Sequence, residues 1–178
     1  MRLFIGIKTG CERYFLELLN QLKIAGHGRF SDIENLHITL RFLGEMQQNK
    51  IKMICGVLSE IQSRVFELEC NGIGIFDGKD IVFAKLGGDL QDLFLLYEKI
   101  ENALEIICIP KEKRPFRPHI TLARYFQSTR SDKADFESLM MRKCSFTVKD
   151  IVLFESRRIQ NKLSYIPLYK KTLFLPER

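Results

Sequence analysis

Apolar and polar positions along this 178-residue chain follow two periods. Three segments repeat apolar residues at helical spacing, while shorter runs are continuously apolar or alternate residue by residue, which is typical of strands. The pattern predicts strands at residues 3–7, 36–43, 65–75, 81–86, 119–125, 146–155 and 163–168. It predicts three helices over the apolar positions 15–22, 51–61 and 90–107, and a shorter helix at 131–142.

Local signals set several of the element boundaries. Residues 9–12 read Thr-Gly-Cys-Glu, a T-x-x-E capping box, and predict the start of the first helix. Residues 26–28, Gly-His-Gly, predict its end and a loop. Gly72 and Gly74 indicate a bulge or bend in the third strand, and residues 76–79 predict the turn that follows it.

The tetrapeptide His-Ile-Thr-Leu occurs twice, at residues 37–40 and 119–122, in a chain with three histidines. Both copies fall on predicted strands, in which successive side chains point to opposite faces. Each copy therefore places an imidazole and a hydroxyl on one face, and an apolar pair on the other. Two such faces opposite each other would form a site with two histidines and two hydroxyl donors.

The order of elements indicates an α+β fold. The two motif copies lie 82 residues apart (119 − 37), close to half the chain length, and each has a helix before and after it. No linker or low-complexity tract divides the chain. We therefore predict one bilobal domain over residues 1–178, with two lobes related by an approximate twofold and one motif strand from each lobe in a central cleft.

Composition and charge narrow the class of protein. The chain is 46% hydrophobic and 28% charged, with a formal net charge of +6, which is compatible with a soluble protein that has a polyanionic partner. No apolar run reaches membrane length, and no secretory signal is evident. Five widely spaced cysteines form no C-x-x-C pair and predict reduced, mostly buried thiols in a cytoplasmic protein; they are Cys11, Cys55, Cys70, Cys108 and Cys144.

The paired histidines could have structural, metal-binding, nucleophilic or acid–base roles. A lone strand histidine is more often structural, and His27, between two glycines, stays in that class. Zinc sites need three or four ligands at short spacing, and each motif supplies a single histidine. A nucleophile motif such as G-x-S-x-G is absent from the sequence. Paired general acid–base catalysis remains, because one imidazole can start neutral and the other protonated.

Such a pair suits in-line hydrolysis of a phosphodiester, with the threonine hydroxyls donating hydrogen bonds to the anionic oxygens. Basic residues surround the second motif and add attraction for phosphate; they are Lys111, Lys113, Arg114 and Arg117. Arg124 is an odd number of positions after the second motif histidine. A regular strand would turn it to the opposite face, so its use in the site requires a bulge or bend.

At residues 36–45, LHITLRFLGE, and 114–124, RPFRPHITLAR, the chain resembles the two-histidine phosphoesterase superfamily. Within it, the longer context is similar to the RNA 2',3'-cyclic phosphodiesterases, historically named 2'-5' RNA ligases. Residues 2–7 resemble the first strand of that family, and residues 153–156 with Tyr165 resemble its closing strands. Residues 81–86 and 157–161 depart from the family pattern, the latter by lacking a glycine, and they leave the substrate preference open.

The resemblance implies antiparallel sheets flanking a central cleft, helices outside, and metal-independent, cofactor-free hydrolysis of terminal 2',3'-cyclic phosphates to 2'-phosphates. By the same resemblance, His37 is the general acid that protonates the 3'-oxygen, and His119 is the base for water. Thr39 and Thr121 hold the phosphate, and Arg124 assists. The expected partner is RNA or a cyclic nucleotide, bound by a cytoplasmic monomer with no membrane contact and no obligatory protein partner. The basic residues before His119 are then expected to hold the RNA chain beyond the reacting phosphate.

Other activities share these residues and stay open at this point. They are 2'-5' ligation, 2'-5' phosphodiesterase activity on tRNA halves or oligoadenylates, and RNA binding with weak catalysis. Loops and base-stacking side chains would separate them. Phe42 and Phe76 are candidates for stacking on a base, with a place in the core as the alternative.

Overall fold

A computed structural model describes residues 1–76, 78–129 and 143–174. Nine strands lie within these residues: β1 (Arg2–Lys8), β2 (Gly26–Phe30), β3 (His37–Glu45), β4 (Phe66–Phe76), β5 (Ile81–Gly88), β6 (Ile120–Ser128), β7 (Cys144–Val148), β8 (Asp150–Ile159) and β9 (Lys162–Thr172). The helices there are α1 (Glu12–Ala25), α2 (Gln48–Ser59) and α3 (Leu90–Ile106).

The strands pair antiparallel in the order β7-β4-β5-β6-β3-β1-β8-β9, and β2 adds to β6. One lobe consists of β7, β4, β5, β6 and β2, and the other of β3, β1, β8 and β9. Within the described residues the lobes join where Ile38 of β3 pairs with Ile120 of β6. The predicted α+β, bilobal architecture is thus confirmed.

The core follows the predicted apolar positions. The two motif strands bury Ile38, Leu40, Ile120 and Leu122, each at most 3% exposed. Removing such a side chain from water contributes roughly 1.5–3 kcal/mol. Helix α1 buries its predicted apolar face, α2 packs on α3 and β9, and α3 packs on β3. The apolar half of each motif therefore anchors its strand, which leaves the polar half for the cleft.

Two predictions around α1 are wrong. The helix begins at Glu12 behind Cys11, which has a left-handed backbone (φ 70°) and makes no side-chain cap hydrogen bond, so the Thr9 capping box does not form. Residues 26–28 are not a loop but part of β2, whose backbone pairs with β6. Glycines carry little strand propensity, and this strand is formed by the edge that β6 offers rather than by its own sequence.

Other predicted elements can also be compared with the structure. The strand predicted at 146–155 is two strands, β7 and β8, separated at Lys149. The bulge predicted at Gly72 and Gly74 is confirmed by a register shift between Cys70 and Ile73. The helix predicted at 131–142 lies outside the described residues.

The cysteine prediction is wrong in part. Cys11 and Cys144 form a disulfide that ties the start of α1 to the start of β7. Their 133-residue separation leaves no local spacing signal, because the fold alone brings them together. Cys70 is buried and free, Cys55 is partly buried, and Cys108 is exposed. None of the helices in the described ranges is long and apolar enough to cross a membrane.

Candidate active site

The two motif strands meet at the lobe junction. Ile38 and Ile120 occupy the same position in their tetrapeptides, and they pair with each other in an antiparallel register. An antiparallel pairing of equivalent residues places a local twofold axis between them. The predicted twofold relation of the motifs is therefore realised at the centre of the sheet, and their polar faces share one cleft.

His37 is fixed by hydrogen bonds to its own chain. Its Nδ1 lies 2.7 Å from the carbonyl oxygen of Asn35. Because a carbonyl only accepts, Nδ1 carries the proton and Nε2 is left for chemistry. Nε2 lies 2.9 Å from Oγ1 of Thr39, the other polar member of the motif. Phe4 and Tyr165 pack on the ring, with centroid distances of 4.8 and 5.0 Å.

Close packing of β1 against this histidine depends on a glycine. A Cβ atom on Gly6 would lie 2.8 Å from the carbonyl oxygen of Ile38 and 3.4 Å from Cδ2 of His37. Real Cβ atoms do not approach a backbone oxygen so closely. Gly6 therefore lets β1 support the ring without displacing it.

His119 repeats the arrangement of the first histidine. Its Nδ1 lies 2.7 Å from the carbonyl oxygen of Arg117, again two residues earlier in the chain. Phe76 and Phe83 pack on its ring at centroid distances of 4.9 and 5.7 Å. The same tautomer follows, with Nδ1 donating and Nε2 free to exchange a proton.

A cleft of about 340 Å³ unites the predicted site residues. His37, Thr39, His119, Thr121 and Arg124 all line it. This volume lies at the low end of the range for small-molecule sites and suits one nucleotide better than a long chain.

Arg124 reaches the cleft because β6 contains the predicted bulge. Consecutive residues of β5 pair with Thr121 and Ala123, which leaves Leu122 as an extra residue. Leu122 and Ala123 are both fully buried, so the alternation slips by one position. Arg124 is then exposed on the same face as Thr121.

Burial and neighbouring charges disfavour protonation of both histidines in the empty cleft. Burial lowers the pKa of His37 to about 4; the hydrogen bond to Asn35 opposes this shift, whereas the charges of His119 and Arg124 reinforce it. Burial also lowers the pKa of His119, with its hydrogen bond to Arg117 opposing and Arg124 adding to the effect. Both rings are therefore neutral near pH 7 until an anion enters.

The segment leading to His119 is held by a buried arginine of the other motif strand. Nε of Arg41 lies 3.3 Å from Glu101 of α3, and its Nη1 lies 3.7 Å from Glu112. Glu101 also accepts a hydrogen bond of 2.6 Å from the backbone N–H of Glu112. Further along, Phe116 stacks on Tyr97 at 4.2 Å. These contacts fix a segment without regular structure against β3 and α3.

The basic residues predicted to hold RNA do not line the cleft in the described structure. Arg114 pairs with Glu112 at 2.9 Å, and Lys111 with Glu105 at 3.4 Å, so nearby carboxylates offset their charge. Contact with the RNA chain outside the cleft stays a prediction for these residues. Lys113 is exposed to solvent.

Other cations line the cleft that sequence reasoning missed: Arg29 of β2, Arg158 of β8 and Lys162 of β9. Arg29 was assigned to a loop, Arg158 lies in the segment 157–161 that departs from the family pattern, and Lys162 directly follows that segment. Phe42 is 54% exposed and also lines the cleft, whereas Phe76 stacks on Phe83 at 4.1 Å. Of the two aromatic candidates, Phe42 is thus the one open to a ligand.

Among the described residues, no group of three or more His, Cys, Asp or Glu side chains is arranged to hold a metal ion. Metal-independent chemistry nevertheless stays a prediction until it is measured.

Comparisons with known proteins identify the family of the chain. A family model described as LigT-like phosphoesterase matches residues 5–82 and 89–165. The RNA 2',3'-cyclic phosphodiesterase of Aeropyrum pernix is 36% identical over 94 residues, which cover 51% of this chain and 53% of that protein. The protein of that name from Methanocaldococcus jannaschii is 30% identical over 127 residues, covering 70% and 71%.

The alignment with the Aeropyrum protein thus spans about half the length of that relative. Among solved structures, Escherichia coli LigT complexed with 3'-AMP is similar with a TM-score of 0.79 at 23% identity, and 97% of each chain is covered. At this identity, the structural match bears on the fold alone.

Proposed function

Because the chain belongs to the LigT-like phosphoesterase family, we propose that it is an RNA 2',3'-cyclic phosphodiesterase. It opens terminal 2',3'-cyclic phosphates, the activity for which its relatives are named, and it leaves 2'-phosphates. The observation that carries this proposal is the matched pair of histidines. Each is anchored through Nδ1 to a carbonyl two residues earlier, and both line one cleft together with the two threonines.

The cyclic phosphate is a monoanion and enters a cleft rich in donors. The hydroxyls of Thr39 and Thr121 donate to its two non-bridging oxygens, and the Arg124 guanidinium supplies the opposing charge. Thr39 now lies 2.9 Å from Nε2 of His37, so its hydroxyl turns from the ring to the phosphate when substrate binds. The phosphorus is then held between the two imidazoles.

The reaction moves two protons in opposite directions. Nε2 of His119 accepts a proton from water as the water oxygen forms its bond to phosphorus. The bond from phosphorus to the 3'-oxygen breaks, and protonated His37 donates its Nε2 proton to that oxygen. The product carries a 2'-phosphate and a 3'-hydroxyl. The general acid and the general base each typically raise the rate by a factor of about 10²–10⁴.

His37 must be protonated in the complex although its pKa in the empty cleft is lowered to about 4. The bound phosphate places negative charge beside the ring and favours the cation, which opposes the effect of Arg124. Substrate and proton therefore bind together. In the empty cleft His37 stays neutral, so no imidazolium lies beside the positive charge of Arg124.

The test is hydrolysis of a nucleoside 2',3'-cyclic phosphate by the wild type, His37→Ala, His119→Ala and a matched control. The control is His27→Ala, because His27 is exposed on β2 and does not line the cleft. The two motif variants should each lose at least about a hundredfold in kcat, the lower end of general acid–base effects. His27→Ala should retain wild-type activity, and retention of activity by both motif variants would refute the proposal.

The proposal extends to the setting of the reaction. RNA or a cyclic nucleotide is the partner, and one chain supplies both histidines, so a monomer in the cytoplasm suffices. Sedimentation shows the protein concentrations over which any association occurs. If the specific activity stays constant when the protein is diluted through that range, the monomer is active.

A further inference from the structure

Two arginines face each other across neighbouring strands at the edge of the cleft. Arg29 of β2 pairs directly with Arg124 of β6 in the antiparallel register. Directly opposite like charges destabilise a strand pair. Among the described residues, neither arginine has a carboxylate within salt-bridge distance. An anionic ligand would relieve this repulsion, so the pair indicates a site for negative charge.

The cleft carries more positive charge than one cyclic phosphate needs. Four cationic side chains line it, and Asp32 is the one carboxylate among the described lining residues. Asp32 lies 3.8 Å from Nζ of Lys162 and offsets that cation. Arg124 is assigned to the reacting phosphate in the proposed mechanism. Arg29 and Arg158 are left without an assigned anion.

These two arginines come from opposite lobes and line the same cavity. Arg158 stands on the β8–β9 hairpin, whose turn residues Gln160 and Asn161 both have positive φ. Asn35, two residues before His37, donates a 2.8 Å hydrogen bond to the carbonyl of Leu163 and ties the hairpin to the start of β3. The connection from β2, which carries Arg29, to β3 is thus hydrogen-bonded to the hairpin that carries Arg158.

We propose that Arg29 and Arg158 form a second phosphate site, which binds the phosphate on the 5' side of the terminal nucleotide while the 2',3'-cyclic phosphate lies between the histidines. This inference rests on the proposed function, because it places the cyclic end at the motif residues. It makes the preferred substrate a nucleotide that carries a 5'-phosphate or a 5'-phosphodiester, rather than a bare nucleoside cyclic phosphate. A cavity of about 340 Å³ has room for one such nucleotide.

Hydrolysis of two substrates tests this site. They are the same nucleoside 2',3'-cyclic phosphate with a 5'-hydroxyl and with a 5'-phosphate. The wild type should prefer the 5'-phosphorylated substrate by about tenfold or more in kcat/KM, and the preference should shrink as salt is raised. Arg29→Gln and Arg158→Gln should each reduce the preference to less than about threefold.

Lys52→Gln is the matched control, since it removes the same charge from an exposed residue of α2 that does not line the cleft. It should keep the wild-type preference. Equal rates of the wild type on both substrates, or an undiminished preference in both arginine variants, would overturn the second site.

A binding measurement separates this inference from the activity. The affinities of the wild type for adenosine 3'-phosphate and adenosine 3',5'-bisphosphate are compared by calorimetry, with the arginine variants alongside. If the wild type binds the bisphosphate more tightly and Arg29→Gln loses this difference, the second phosphate site is supported. Absence of hydrolysis would then refute the proposed activity and not the site. Equal binding of both ligands by the wild type refutes the site even if hydrolysis is found.

Discussion

Phe42 and Arg124 occupy equivalent positions in the two halves of the molecule. Each follows its motif histidine by five residues, and each lines the cleft. Both strands reach this arrangement through a bulge: Leu40 is the extra residue in β3, and Leu122 is the extra residue in β6. One lobe therefore supplies an aromatic ring where the other supplies a guanidinium. The site has twofold geometry at the histidines, but its chemistry is asymmetric beside them.

This asymmetry predicts different defects for the two positions. Arg124→Gln removes the charge that opposes the phosphate and should lower kcat/KM on a cyclic mononucleotide about 10²–10³-fold, the usual effect of losing one donor to a developing anion. Phe42→Ala should act mainly on KM, by about tenfold, because base stacking is worth about 1–3 kcal/mol. Steady-state kinetics separate these effects. Phe174→Ala, a similarly exposed ring outside the cleft, should match the wild type, and a defect of Phe42→Ala in kcat alone would contradict stacking.

The roles of the two histidines can be distinguished with an activated substrate. An ester with a good leaving group at the 3'-position needs little help from an acid. His37→Ala should therefore lose much less activity on this ester than on a natural cyclic end, whereas His119→Ala should be impaired on both. The measurement is the rate of each variant, relative to the wild type, on the activated ester and on the natural cyclic end. A reversed pattern would exchange the roles of acid and base.

The pH dependence should differ between the free and bound protein. Both histidines have pKa values below the ordinary 6.5 in the empty cleft, so the productive form with one imidazolium grows as pH falls. The profile of kcat/KM, which reports the free protein, should be bell-shaped with its optimum below about pH 6.5. Bound phosphate raises these pKa values, so the optimum of kcat should lie higher. A flat kcat/KM profile between about pH 5 and 9 would exclude acid–base catalysis by the two histidines.

The disulfide predicts a specific thiol count. The denatured, non-reduced protein should titrate three thiols of its five cysteines, and all five after reduction. Reduction should lower the free energy of unfolding by about 2–4 kcal/mol, because a long loop is released. Cys11→Ser should be destabilised in the same way, and Cys108→Ser, at an exposed free cysteine, should be unaffected. Five titratable thiols before reduction would show that the bond does not form in solution.

Much of the framework was predictable because it follows from local alternation. The family was predicted correctly, and the apolar residues of the motifs are buried as their strand pattern requires. The bulge before Arg124 was also inferred, since its spacing fits the cleft in no other way. These are features in which neighbouring residues carry the information.

The remaining features depend on contacts between distant segments. Strand β2 forms because β6 offers it an edge, although Gly-His-Gly has little strand propensity of its own. Arg29 therefore went unnoticed, since its place in the cleft depends on that pairing. The course of the basic segment before His119 also depends on distant contacts, because Arg41 of β3 and Glu101 of α3 hold it. The disulfide joins residues 133 positions apart.

The most direct test of the account is the identity of the product formed without metal. The protein is incubated with a nucleoside 2',3'-cyclic phosphate in excess EDTA, and the product isomers are resolved by phosphorus NMR. The account predicts sustained hydrolysis to the 2'-phosphate alone, because His37 protonates the 3'-oxygen as it leaves. Activity abolished by EDTA and restored by zinc or manganese would contradict it, and so would a 3'-phosphate product.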